Sequence, residues 1–313
     1  MAEKVTFSCQ SEPGDIHFKF GHASFEVLTD FLTNLNEKNK DNLNSLSTCC
    51  GVFKDKRLFE YTLLISQELR LDPLAGYHAI ELVQRFLVKH ITRLLSEPSP
   101  QGATQAGAGS REDAIFEQLK ERLAMMVFSC VQLASKMSLH SHIIDINTAV
   151  RFLHSVGLDV SKQAVLESEL MVLKVLEFRL DCPNPLTYVE ILLEVLGFNE
   201  PSTPVEHLHH LCRHVLQLVS LQRSHLYDAL LTATTQTHNP TREQREKFVA
   251  VTEDCMLLAV GVIAVATFIL HVREWEEVVK ELSHITGIST RSISDFARVA
   301  LKLIVEGPQT PTR

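Results

Sequence analysis

The most metal-like spacing in this chain belongs to three histidines. His207, His210 and His214 recur at intervals of three and four, on one face of a helix, with Cys212 nearby. Neutral imidazoles so placed can hold a divalent metal. No carboxylate or second thiol completes a fourth position in the sequence, so the pattern reads as a half-exposed helix face and no metal is expected. The acid pairs Glu253-Asp254 and Glu276-Glu277 read as helix-terminal or exposed charges. No G-x-G-x-x-G, P-loop, H-E-x-x-H or G-x-S-x-G occurs. The expectation is a non-enzymatic protein with no catalytic residue and no cofactor.

The remaining chemistry is that of recognition. Lys136 and Glu169 are charges set inside two of the more apolar stretches, LKERLAMMVFSCVQLASKM and QAVLESELMVLKVLEFRLDCPNP. Each alone is an ordinary charge at a helix edge. Three Pro-directed dipeptides occur: Ser99-Pro100, Thr203-Pro204 and Thr310-Pro311. Ser99 and Thr310 fall in an expected loop and tail, where a phosphate would add charge and acceptor oxygens, and are candidate phosphorylation sites.

Helices must position these residues. Hydrophobic residues make up 45% of 313, there are only 12 Gly and 11 Pro, and no long span alternates apolar with polar. Val165, Leu166, Leu170, Leu173, Leu176 and Leu180 predict one long helix from Gln163, closed by Pro183 and Pro185. His22 to Leu46 predicts an amphipathic helix through Phe25, Leu28, Phe31, Leu32 and Leu35. Helices follow over Lys54 to Leu71, from Asp72-Pro73 to about Leu95, up to Met137, and from Asp145 to His154. Ser96 to Asp113 is small, polar and Gly/Pro-punctuated, and reads as a flexible loop.

Beyond Pro185 the pattern resumes. Leu186–Phe198, Thr203–Ser220 and Leu221–Thr232 read as helices, Ala233–Glu246 as a polar connector, and Phe248–His271 as one apolar helix. Trp275–His284 and Ser289–Val305 complete the series. Met256 to Leu270 carries no charge, but it falls short of the roughly 20 residues a membrane span needs. Glu253, Asp254 and Arg273 flank it tightly, so the reading is a helix surrounded by other helices, with no membrane.

Charge and cysteine content narrow the setting. The net charge is −8 and the densest cationic tract, Lys54, Lys56 and Arg57, is interrupted by Asp55, so direct nucleic-acid contact is not favoured. Seven cysteines, an odd number with no C-x-x-C, point to a reducing compartment, cytosol or nucleus. The N-terminal MAEKVTFSCQ lacks the apolar core of a signal peptide.

Two of these helices resemble the third and fifth helices of a cyclin box. Ala134-Ser135-Lys136 matches the element closing the third. Glu169, Leu173, Lys174, Leu176, Phe178 and Leu180 match the fifth, and Gln84-Arg85-Phe86-Leu87 is similar to the D-R-F-L of the second. The resemblance implies an all-α fold: a cyclin box at 50–182 with an insertion at about 96–113, and a second, diverged cyclin-like domain at 183–305. Residues 1–49 would precede these with one amphipathic helix, and 306–313 would form a tail. It implies that Lys136 and Glu169 sit side by side and contact a cyclin-dependent kinase. The sequence also departs from the pattern. Gln84 replaces the Asp that pairs with an Arg before the first helix, and Asp55 falls where that Arg is expected. The substrate-docking patch would here contain Arg57, Leu58 and Tyr61. Within the family the chain is most similar to a meiotic member, which implies a nuclear role, possible cytoplasmic presence aside, in maturing recombination intermediates into crossovers. The alternatives are a kinase-independent scaffold for recombination or ubiquitin-pathway proteins, and a DNA-contacting factor of the same fold.

Overall fold

The computed structural model describes residues 20–44, 46, 54–96, 108–139, 141–237, 239–270 and 275–306, with 108–112 described by backbone alone. Among the described residues it is all-helical, with thirteen helices and no strand, in agreement with the cyclin-like all-α expectation. Ser99 and Thr310 lie outside the described residues, as do Cys9, Cys49 and Cys50.

After α1 (Phe25–Asn44) come five helices: α2 (Lys56–Glu68), α3 (Pro73–Ser96), α4 (Ala108–Met137), α5 (Ile146–Ser155) and α6 (Lys162–Val175). Side-chain caps set several starts. Asp55 accepts from the Arg57 and Leu58 N–H groups, Asp145 from Asn147 and Thr148, and Ser161 from Ala164. The second half of α4 is the pivot: ten consecutive residues, Met126 to Ser135, are buried. Around it gather Leu82 and Phe86 from α3, Leu153 from α5, and Val165 and Val172 from α6.

Seven more helices follow: α7 (Pro185–Asn199), α8 (Val205–Leu221), α9 (Arg223–Thr235), α10 (Arg242–Glu253), α11 (Cys255–Ile269), α12 (Trp275–Thr286) and α13 (Thr290–Glu306). They surround α11, which is buried without a break from Leu258 to Thr267. That is the environment its apolar sequence calls for. No single described helix is long and apolar enough to cross a membrane; the only candidate is the bent α10–α11 pair. The second cluster also takes in Phe59, Tyr77 and Ile80 from α2 and α3, so the two halves interlock.

Four boundaries differ from the sequence reading. The predicted long helix from Gln163 ends at Val175, because Glu177 and Phe178 turn left-handed at φ 55° and 58°. The loop predicted to Asp113 gives way to helix at Ala108. The connector predicted to Glu246 ends at Thr241, whose hydroxyl and Gln244 form a capping box that starts α10. The predicted single helix over Phe248–His271 is two, bent by 69° at Asp254. Asp254 adopts extended backbone and accepts from the Met256 and Leu257 N–H groups, so one residue ends α10 and caps α11.

The predicted N-terminal helix is tied to the second half. The N–H groups of Gly21, His22 and Ala23 converge on the Glu194 carboxylate at 2.8–2.9 Å. Gly21, at φ 78°, lies so close to Gly197 that a Cβ would stand 3.0 Å from its carbonyl oxygen. Within α1 the buried positions are Leu28, Leu35 and Asn39, while Phe25 and Phe31 of the expected stripe stay exposed.

Candidate functional site

Lys136 and Glu169 meet. Lys136 is in the last turn of α4, where a cation suits the helix dipole, and Glu169 is mid-way along α6. Nζ donates directly to Oε1. Their surroundings are unequal: the Glu169 side chain is 9% exposed and the Lys136 side chain 37%. Beside them Ser129 and Ser168 share a hydrogen bond of 2.8 Å, small side chains that let α4 and α6 approach closely. The pair is thus satisfied within the chain, with the acid under cover and the ammonium at the surface.

The face of α6 explains why Glu169 is there. Val165, Val172 and Leu176 turn inward with it, at helical spacing. Leu166 and Leu170, expected in the same apolar stripe, instead face outward at 49% and 43% exposure. Glu169 therefore sits on the seam between the buried face and an apolar strip with no cover. Met137, at the end of α4, is exposed as well. At the other end of α6 the exposed Phe178 occupies a left-handed conformation that costs of order 1–3 kcal/mol for a residue with a Cβ. The turn is held from several sides. Phe178 N–H donates to Leu173 O at 2.8 Å, Lys89 pairs with Glu177 at 3.2 Å, and Arg85 Nη1 donates to Asp181 O at 2.9 Å.

A second charged cluster lies at the junction of the two halves. Lys54 pairs with Glu253 at 2.5 Å, and Arg223 lies 3.7 Å from the same carboxylate while donating to Thr252 O. Burial would push the Glu253 carboxyl up, but Lys54 and Arg223 outweigh it and hold the group below its ordinary range. From α1, Asn39 donates to Asp254 and Asn42 to the Glu253 carbonyl. Gln84 lines the same small cavity as Lys54 and Arg223, and its Oε1 is buried without a partner. No Arg–Asp pair joins the start of α2 to α3: Asp55 is a helix cap, and its neighbour Lys54 pairs with Glu253 of the second half. Sequence spacing misses this because Lys54 and Glu253 are 199 residues apart.

The histidine pattern does not converge. The His210 and His214 rings lie with centres 4.8 Å apart, tilted by 49°, and His214 Nδ1 lies 2.9 Å from His210 O. His209, the neighbour outside the pattern, is buried against Glu190 at 3.1 Å. Among the described residues no group of three His, Cys, Asp or Glu side chains is placed to hold a metal. The half-buried thiols of Cys182 and Cys255 are pushed up to about 12 by desolvation, which leaves them protonated at neutral pH.

A five-helix group, α2–α6, centred on α4, a second helical group about α11 and a Lys–Glu pair at the α4–α6 seam define a cyclin-domain protein. Comparison with known proteins narrows this. Over 298 residues the chain is 38% identical to cyclin N-terminal domain-containing protein 1 of Homo sapiens, covering 95% of this chain and 90% of the human protein. It is 37% identical over 298 residues to the protein of the same name from Mus musculus, covering 94% and 89%. The chain belongs to the family of cyclin N-terminal domain-containing protein 1. No family model matches it.

Proposed function

We propose that this protein is a non-enzymatic regulatory subunit that seats a cyclin-dependent kinase on the α4–α6 face. It acts in the nucleus, in the maturation of meiotic crossovers. The observation that carries the reading is the seam itself. Glu169 is covered and paired, Lys136 is half out, and Leu166 and Leu170 lie uncovered alongside. A partner helix laid across the leucines removes apolar area from water at about 25 cal/mol per Å². It also lowers the dielectric around the ion pair, which then contributes more to recognition. Lys136 keeps donors for a partner carbonyl.

Affinity capture from meiotic tissue with Leu166→Asp/Leu170→Asp beside the unaltered chain tests this. The unaltered chain should retain a cyclin-dependent kinase and the variant should lose it. Recovery of the same partners by both would remove the reading.

A kinase-independent scaffold for recombination or ubiquitin-pathway proteins is the second reading. It is favoured by the α2 face, where Arg57 and Tyr61 are exposed but Leu58 is half-buried, a poor copy of a substrate-docking patch. Charge reversal at Lys136 separates the two readings, since a scaffold keeps both its partners and the crossover number. The DNA-contacting alternative gains nothing from α3. Two of its three Lys and Arg residues, Arg85 and Lys89, are engaged by the turn after α6.

A further inference from the structure

The 69° bend between α10 and α11 has no helix breaker behind it. Neither Gly nor Pro occurs between Pro240 and Gly261. Sharp bends otherwise need a side chain that intrudes on the hydrogen-bond ladder. Here the backbone partners at the joint are exchanged. In a continuous helix the N–H groups of Cys255, Met256 and Leu257 would donate to the carbonyls of Val251, Thr252 and Glu253. Instead Cys255 N–H donates to Asn39 Oδ1 at 3.1 Å, and those of Met256 and Leu257 donate to Asp254 Oδ1 at 2.9 and 3.0 Å. The Thr252 carbonyl accepts from Arg223, and the Glu253 carbonyl from Asn42 at 3.2 Å. Asn39 Nδ2 also donates to Asp254 Oδ1 at 2.9 Å.

Asn39 and Asn42 both belong to α1, so the first helix of the chain completes the joint of the tenth and eleventh. α1 is lightly held. Its buried side chains are Leu28, Leu35 and Asn39, and its far end hangs on Glu194. α10 is held less. None of its residues before Glu253 is buried. Its body rests on the partly buried Phe248 and on an exposed pair, Arg245 with Asp228 at 3.2 Å, of a kind that contributes little. Removing α1 leaves the Cys255 N–H and the Glu253 carbonyl unpaired at the joint. The bent form then loses its advantage over a continuous ladder.

We propose that α1 is a latch and α10 the arm it holds: α1 docked keeps the joint bent, and α1 displaced frees α10 to swing. No residue of this device belongs to the α4–α6 seam, so it stands whether or not a kinase binds there. Amide hydrogen exchange of the full chain tests it, with Glu194→Gln as the trigger. Glu194 holds residues 21–23, at the end of α1 remote from the joint. Exchange in α1 and α10 is expected to rise together by at least about tenfold, with α13 unchanged. Asn39→Ala/Asn42→Ala should free α10 by a similar factor. Where Glu194→Gln leaves α1 protected, Leu28→Ala/Leu35→Ala serves as the second trigger. The proposal is overturned by α1 released with α10 unchanged, by a rise that α13 shares equally, or by an Asn39→Ala/Asn42→Ala chain whose α10 exchanges as before.

Discussion

Lys136 and Glu169 act as a unit because their environments differ. An acid 9% exposed needs its cation, whereas a lysine with a third of its side chain in water does not need its acid. Lys136→Ala is therefore expected to destabilise the free chain by about 1–3 kcal/mol, through the carboxylate it orphans. A lowered denaturant midpoint at unchanged slope would report this. Restoration by the double variant Lys136→Ala/Glu169→Gln would assign the loss to the pair. The Lys54–Glu253–Arg223 cluster gives a pH test. With the Glu253 carboxyl held below its ordinary 4.5, the unfolded chain takes up a proton first as acid is added. The stabilisation is complete above pH 4.5 and drains away as pH falls through the lowered value. Glu253→Gln should melt below the unaltered chain at pH 6, and the gap should narrow towards pH 3. A gap that stays constant would show that Glu253 is not the titrating group.

At the scale of the helix, composition and exposure part company. The apolar positions of α6 were legible in the sequence, but which of them face the core was not. Val165 and Val172 are covered while Leu166 and Leu170 are open, and hydrophobicity does not distinguish these cases. Exposed leucines contribute little to folding, so Leu170→Asp should shift stability by no more than about 0.5 kcal/mol while removing the partner. α11 shows the reverse case, a helix packed so closely that one glycine is obligatory. The Phe296 ring lies over Gly261, where an added Cβ would stand 2.2 Å from Cδ1. Gly261→Ala is expected to lower stability by about 1–3 kcal/mol or more, with partial rescue by Phe296→Leu. Additive losses in thermal melts of the single and double variants would count against that contact. The break between α10 and α11 was written locally, in Asp254 followed by an apolar run, but the continuous hydrophobicity on either side masks it. The left-handed turn at Glu177 and Phe178 had no such local signal, since neither is glycine or asparagine. It is closed by the local bond from Phe178 N–H to Leu173 O and tied to α3 by Lys89 on Glu177 and Arg85 on the Asp181 carbonyl.

Over the whole molecule, the helical class and most helices could be read from periodicity and caps. So could the meeting of Lys136 with Glu169, through its resemblance to a cyclin box. What could not be read depends on pairing across long sequence separations. Glu194 gathering three N–H groups from residues 21–23, and Lys54 reaching Glu253, tie chain segments more than 170 residues apart. These ties, with Phe59, Tyr77 and Ile80 inserted in the second cluster, make the two halves one packed body. Unfolding is accordingly expected as a single transition, with tryptophan fluorescence from Trp275 in the second half and far-ultraviolet circular dichroism coinciding. Separate transitions would show that the halves melt independently. The proposed kinase seat is tested most directly by kinetic binding of immobilised full chain to a panel of purified cyclin-dependent kinases. At least one kinase should bind, with dissociation at least tenfold faster from Lys136→Glu/Leu170→Asp. If no kinase binds, or the variant holds it equally well, the α4–α6 seam is not a kinase seat.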